Sequence, residues 1–249
     1  MASTLIYPMG TTAACGYAAK ELKLSGLPLT DHPSPEVTHL LLDVPSFDSD
    51  GSLRGGGEVH SLLRMLPEKC CVIGGNLNHP ALAGKRCIDL LKDPMYLAKN
   101  AAITAECALQ VAYPKMDFLF CGAPCLIIGW GRIGKCLGKL LLALGAKVAI
   151  AARKETDRAM AAALGYDFVD MESLPAAISR YRVIFNTAPE LQLNKEQLSL
   201  CPDCIKIDLA SRQGLDGKDV IWARGLPGQY APKSSGKLIA DILVKEVLS

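Results

Sequence analysis

The 249-residue chain reads as an α/β protein built of two doubly wound parallel-sheet domains. Three observations predict this. Apolar runs of strand length, flanked by turn residues, alternate with helix-length stretches along the whole chain. The segment LIIGWGRIGKCLG, Leu126 to Gly138, leaves a strand through a glycine-rich turn and re-enters a helix. The length suits two modest domains, each able to bury its own core.

In the first half the strands are expected in TLIYP, THLLLDVP and CCVIGG, and the helices in TTAACGYAAKELK and GEVHSLLRML. DVPSFDSDGSLRGGG, Asp43 to Gly57, is a long polar loop after a strand's carboxyl end, where loops tend to line clefts. A helical stretch from Pro94 to about Val111 carries Leu97, Ala101, Ala105, Ala108 and Leu109 on one face and is expected to bridge the domains. The second half repeats the rhythm: strand CLIIGWG, helix RIGKCLGKLLLALG stopped by Gly145, strand KVAIAAR, helix TDRAMAAALG, strand YDFV, helix MESLPAAISR, strand RVIFNTAP, helix NKEQLSL and strands CIKIDLAS and VIWARG. A last helix, PKSSGKLIADILVKEVL, closes the chain. The boundaries expected are 1–95, an inter-domain helix at about 96–113, a nucleotide domain at 114–229 and a C-terminal helix at 230–249.

Half the residues are hydrophobic, 21% are charged and the net charge is +2. That balance is too small and scattered for a nucleic-acid or membrane surface, and no apolar run is long enough to span a bilayer. The start, MASTLIYPMG, lacks the basic and apolar regions of a secretory signal, so a cytoplasmic location is expected. The ten cysteines sit in apolar runs such as KCCVIGG and read as small core residues in a reducing compartment. No metal is expected, although the pairs Cys121 with Cys125 and Cys201 with Cys204 leave a four-thiolate zinc site open, and CPDC leaves a redox pair open. A homo-oligomer is also left open.

Gly129, Gly131 and Gly134 form G-x-G-x-x-G in GWGRIG. After a strand and opening a helix, Gly129 makes the tight turn, Gly131 lets a pyrophosphate approach, and Gly134 lets helix and strand pack. The helix amino terminus offers unpaired N–H donors to the same phosphates, so the whole run Gly129, Trp130, Gly131, Arg132, Ile133 and Gly134 is assigned to a dinucleotide. At the end of the next strand, AIAARKE, Arg153 and Lys154 stand where an NAD site places an acid. A cationic pair there suits a 2′-phosphate, so NADP is expected, with NAD the less favoured cofactor.

The ordered set DVPSFDSDG, NAAITAE, GWGRIG with LGAKV and AAR, NTAP, IDLASR and GLPGQYAPKSSGKLIADIL resembles the family of the A subunit of dipicolinate synthase. The resemblance implies a flavodoxin-like N-terminal domain, a Rossmann domain binding NADP, and a final helix returning to the first domain. It adds Asn186, Thr187, Ala188, Pro189 and Leu209 to the cofactor-binding residues. It also implies oxidation of a dihydrodipicolinate-type cyclic dicarboxylate to dipicolinate during sporulation, beside a flavoprotein-like B subunit. The alternatives are another NAD(P)-dependent dehydrogenase of a small carboxylic acid, or a non-catalytic nucleotide-binding subunit.

A doubly anionic substrate calls for cations and hydroxyls. The candidates are Lys233, with Ser234 and Ser235, at the start of the last helix, Ser211 and Arg212 after the DLAS strand, and Asn100 and Thr104 as inter-domain polar groups. Glu106 reads as a helix-stabilising acid rather than a base. All four histidines, His32, His39, His60 and His79, lie in the first third of the chain, so a nucleotide-domain histidine base is absent. In GLPGQYAPKSSG, Gly225, Pro227 and Gly228 are expected to turn the backbone tightly before Pro232 opens the helix. Lys233 then opposes the helix dipole unless an anion stands beside it. Lys233→Ala is expected to weaken substrate capture by roughly tenfold or more with little change in NADP affinity. Cofactor titration and initial rates on the same variant check this; loss of NADP affinity alone would misplace the residue.

Overall fold

The computed structural model describes residues 4–248. The chain divides into two compact units, Met1–Asn100 with Pro227–Ser249, and Ala101–Leu226. Along the first, β1 (Ile6–Pro8) leads into α1 (Ala13–Leu24), then β2 (His39–Leu41), α2 (Val59–Arg64), β3 (Cys71–Gly74) and β4 (Cys87–Asp89). These strands form one parallel sheet in the order β1-β2-β3-β4. A parallel bridge between Ile6 and Leu29 adds a contact on the free side of β1. Counted with it, the order becomes the doubly wound one in which the second extended segment lies outside the first, as in flavodoxin-like sheets.

The strands are short and apolar because both faces are covered: Leu40, Leu41, Val72 and Ile73 are buried, and on one face Leu40 and Val72 join a cluster with Val37, Leu62 and Leu63. β4 escapes the sequence pattern. Its three residues lie at an edge with Cys87 exposed, so no apolar run marks it, and pairing with β3 is what makes it a strand. α1 starts where Thr12 caps it, its hydroxyl accepting from the Cys15 N–H at 3.3 Å. The buried carboxylate of Asp43 then pins that start: it accepts from the N–H groups of Thr11 and Thr12 at 2.9 and 3.0 Å and from the Thr12 hydroxyl at 2.5 Å.

α3 (Pro94–Ala112) follows, and the second unit continues with β5 (Pro124–Ile128), α4 (Arg132–Ala143), β6 (Lys147–Ala151), α5 (Glu155–Ala163), β7 (Asp167–Val169), α6 (Leu174–Ala177), β8 (Val183–Asn186), α7 (Lys195–Leu198), β9 (Ile205–Asp208) and β10 (Val220–Trp222). All six strands are parallel, in the order β10-β9-β8-β5-β6-β7. This is the order of a Rossmann sheet. β5 supplies the centre, with Leu126, Ile127 and Ile128 wholly buried. α4 ends at the left-handed Gly145, whose φ of 77° suits glycine.

The chain closes with α8 (Leu226–Tyr230) and α9 (Pro232–Leu248). LPGQY is thus a short helix rather than the tight turn expected from its glycines and proline, because proline is tolerated in a helix's first turn. α9 packs on α1 so closely that a Cβ on Gly236 would lie 2.5 Å from the Ala14 carbonyl oxygen. Among the described residues no helix is long and apolar enough to cross a membrane.

Candidate nucleotide-binding site

From β5 the chain runs outward to β6 and β7, then crosses back to β8 on the other side. The loops leaving β5 and β8 therefore diverge, and the crevice between them at the strands' carboxyl ends is where such sheets bind ligands. Gly129 to Gly131 form one wall and Thr187 to Glu190 the other.

The three glycines of the turn do different work. Gly129 has φ of +99°, and a Cβ there would lie 2.5 Å from the Thr187 hydroxyl, so side-chain absence and backbone freedom are both required. A Cβ on Gly134 would run into the Gly129 carbonyl oxygen, which fixes how closely α4 approaches the turn. Gly131 differs: a Cβ there would meet nothing among the described residues within 4 Å. That empty space lies at the N-cap of a 12-residue helix which receives no side-chain cap, so its first N–H groups are left open to an anion. The residues present fit a dinucleotide pyrophosphate. The Trp130 ring packs edge-on against Tyr166 at 5.0 Å, so this residue serves the turn through its main chain. Arg132 is exposed and Ile133 half-buried in the helix's first turn.

The opposite wall is set from below by Asp208, wholly buried at the end of β9. Its carboxylate accepts from Asn186 Nδ2 at 3.0 Å, Ala210 N–H at 3.0 Å, Gly214 N–H at 2.7 Å and Leu215 N–H at 2.8 Å. Asn186, also wholly buried, donates in addition to the Ala188 carbonyl and accepts from the Ala188 N–H at 3.1 Å. Its side chain is thus committed to shaping the loop, which makes it a positioning residue. Thr187 donates to the Ile128 carbonyl at 3.0 Å and so ties the two walls together. Gly214 completes the clamp: a Cβ there would sit 2.5 Å from Asn186 Nδ2 and from the Glu190 carbonyl. Asp208 and Gly214 went unassigned in the sequence, yet a carboxylate inside the apolar run IKIDLAS is itself a signal, since a buried charge needs partners.

Ala188 is half-buried, Pro189 exposed and Leu209 buried along the same edge, and Ser211 and Arg212 follow β9 there with exposed side chains. Arg153 and Lys154 are exposed just past β6. Arg153 is engaged: its guanidinium meets the Glu190 carboxylate at 2.7 Å, with both side chains about two-thirds exposed. Glu190, beside the NTAP stretch, is a third residue missed in the sequence. Lys233 is exposed in α9 and Asn100 half-buried in α3, both in the first unit, whereas Thr104 is buried in the second unit's part of α3. Glu106 lines a groove of about 450 Å³ with Leu109, Tyr113 and the carboxyl end of α4, away from the turn. Among the described residues no three or more His, Cys, Asp or Glu side chains stand together as a metal ion requires, so the four-thiolate arrangement of Cys121, Cys125, Cys201 and Cys204 does not form.

No family model matches the chain. It is 28% identical over 193 residues to the A subunit of dipicolinate synthase from Bacillus subtilis, a match covering 72% of this chain and 65% of that relative, just under two thirds of its length. A crystal structure of the same subunit from Bacillus halodurans superposes with a TM-score of 0.88 at 23% identity, over 99% of this chain and 98% of that one. The corresponding Bacillus subtilis structure gives 0.82 at 22% identity, over 100% and 97%. The chain is thus similar in sequence to the dipicolinate synthase A subunit and shares its fold. The superpositions extend the shared fold across both units, well beyond the aligned stretch of the curated relative.

Two outcomes are expected of this crevice. Gly131→Val is expected to abolish dinucleotide binding with the fold retained, because the branched side chain enters space used by no protein atom. Calorimetry on the folded variant checks it, and undiminished affinity would remove the assignment of this turn. Asp208→Ala leaves three backbone N–H groups and the Asn186 amide without their acceptor, each unsatisfied donor costing about 1–3 kcal/mol before water enters. A stability loss of about 3 kcal/mol or more is expected in urea unfolding. A loss below about 1 kcal/mol would show that the clamp is not structural.

Proposed function

We propose that the chain is an NADP-dependent oxidoreductase that removes hydride from a dihydrodipicolinate-type cyclic dicarboxylate to give dipicolinate. The observation that carries the reading is the empty space at Gly131, before an uncapped helix, at the switch point of a Rossmann sheet. Similarity to the dipicolinate synthase A subunit supports the substrate class, and with it a place in sporulation, a cytoplasmic location and partnership with a B subunit.

A bound nicotinamide supplies the hydride acceptor. The protein's own part is to hold and orient. The α4 amides and Gly131 take the pyrophosphate, Thr187 keeps the walls at their spacing, and Ala188 and Pro189 bound the crevice beside it. Arg153 takes the 2′-phosphate, with Lys154 beside it. Ser211 and Arg212, exposed at the same sheet edge, offer a hydroxyl and a guanidinium to a substrate carboxylate. Since aromatisation drives the reaction, the released proton needs only a lysine or water, and the second unit contains no histidine to serve as base.

The Arg153–Glu190 pair decides how strong the NADP preference can be. A charge-assisted hydrogen bond to the 2′-phosphate contributes about 1.5–3 kcal/mol, and the exposed ion pair it displaces only about 0.2–1 kcal/mol, so the phosphate wins. NADP is expected to bind about tenfold tighter than NAD. Arg153→Ala should erase that ratio, and Glu190→Gln should raise it by about 2- to 5-fold by removing the competitor. Calorimetry with both cofactors reads these ratios. A wild-type preference for NAD would sink the cofactor reading, and NADP binding without turnover of any cyclic dicarboxylate would leave a nucleotide-binding subunit.

A further inference from the structure

At the other end of β9, away from the crevice, the chain enters the strand through CPDC, Cys201 to Cys204. The Cys204 N–H donates to the Cys201 carbonyl at 3.2 Å, closing a four-residue turn with Pro202 and Asp203 at its exposed tip. Such a turn holds its end Cα atoms within about 7 Å, and disulfide-bonded Cα atoms are typically about 4.4–6.8 Å apart. Both cysteines are buried, and each thiol donates to a main-chain carbonyl, Cys201 to Leu198 at 3.5 Å and Cys204 to Ile205 at 3.6 Å.

Behind the turn lies Lys206, whose side chain is fully enclosed. Its ammonium donates to the Cys204 carbonyl at 3.1 Å and pairs with the half-exposed Asp219. A cation in that position favours a thiolate next to it. The neighbouring Cys204 thiol, and after it Lys206, pull the Cys201 thiol down to about 7 against burial and the Asp219 carboxylate. The Cys201 sulfur and burial push Cys204 up. Cysteines buried elsewhere move the other way, Cys125 and Cys15 to about 12 and Cys70 to about 11, as inert core thiols do.

We infer that Cys201 and Cys204 are a redox-active dithiol that small-molecule disulfides convert, reversibly, to an intramolecular disulfide. The Cys201 thiolate attacks one sulfur of R–S–S–R, forming a mixed disulfide and releasing RS⁻. Cys204 passes its proton to that thiolate, and its sulfur then displaces from Cys201 the second RS⁻, which takes up the proton that Cys201 released to water on ionising. The protein loses two electrons and two protons, and the reagent leaves as two thiols. A bridge closing so short a loop constrains the unfolded chain little, which fits exchange better than a structural staple.

The experiment treats the native full-length protein with 2-hydroxyethyl disulfide at pH 7 and maps the products by mass spectrometry. The peptide holding Cys201 and Cys204 should lose two hydrogens and regain them with dithiothreitol, and Cys204→Ser should stop at a mixed disulfide on Cys201. Alkylation of Cys201 in the native protein should reach half its limiting rate near pH 7, and Lys206→Met should slow it at that pH by about fivefold or more. A Cys204→Ser protein that forms the adduct only when denatured, or a native alkylation midpoint at the ordinary thiol value, overturns the inference.

Discussion

The carboxylate of Asp208 is the constraint on which the nucleotide unit's functional edge depends. One buried anion gathers four donors from three segments: the end of β8, the turn after β9 and the loop leading toward β10. Without it these loops have no common anchor, since Gly214 and the NTAP stretch approach too closely for any side chain to mediate between them. The charge is tolerable inside the sheet because every donor it meets is fixed by backbone or by an amide that is itself bonded. The Thr187 hydroxyl then passes the same order across to the glycine turn.

The first unit solves the same problem in the same way. Asp43, buried beyond β2, holds the start of α1 through two backbone N–H groups and two hydroxyls. The N-terminus of α1 is therefore already satisfied by a side-chain anion, whereas that of α4 is uncapped and faces open space. Two helices of equal length at equivalent sheet edges thus differ in what they can bind. This contrast, more than the motif, leaves the helix start of the second unit open to an anion.

Charge placement elsewhere follows burial. Arg153 and Glu190 neutralise each other in solvent, where the pair is weak and easily exchanged for a stronger anion. Lys206 is enclosed and cannot exchange, so its influence falls on what is packed beside it, the carbonyl of Cys204 and the neighbouring thiols.

Much was determined by the sequence alone. The alternation of apolar strands and helices, the glycine turn after CLII, the stop at Gly145 and the last helix from Pro232 are local, because hydrophobic period, capping and φ preference act over a few residues. Those local features were enough to place a glycine-rich turn at Gly129, Gly131 and Gly134 between a strand and a helix. Tertiary structure alone decided which partners distant residues meet: Asp208 with Asn186 and Gly214, Arg153 with Glu190, and Lys206 with the CPDC turn. It also made a strand of Cys87–Asp89, which has no apolar pattern of its own. Pairing across a sheet and the satisfaction of buried charge depend on which segments the fold brings side by side, and neither is written in the spacing of any one segment.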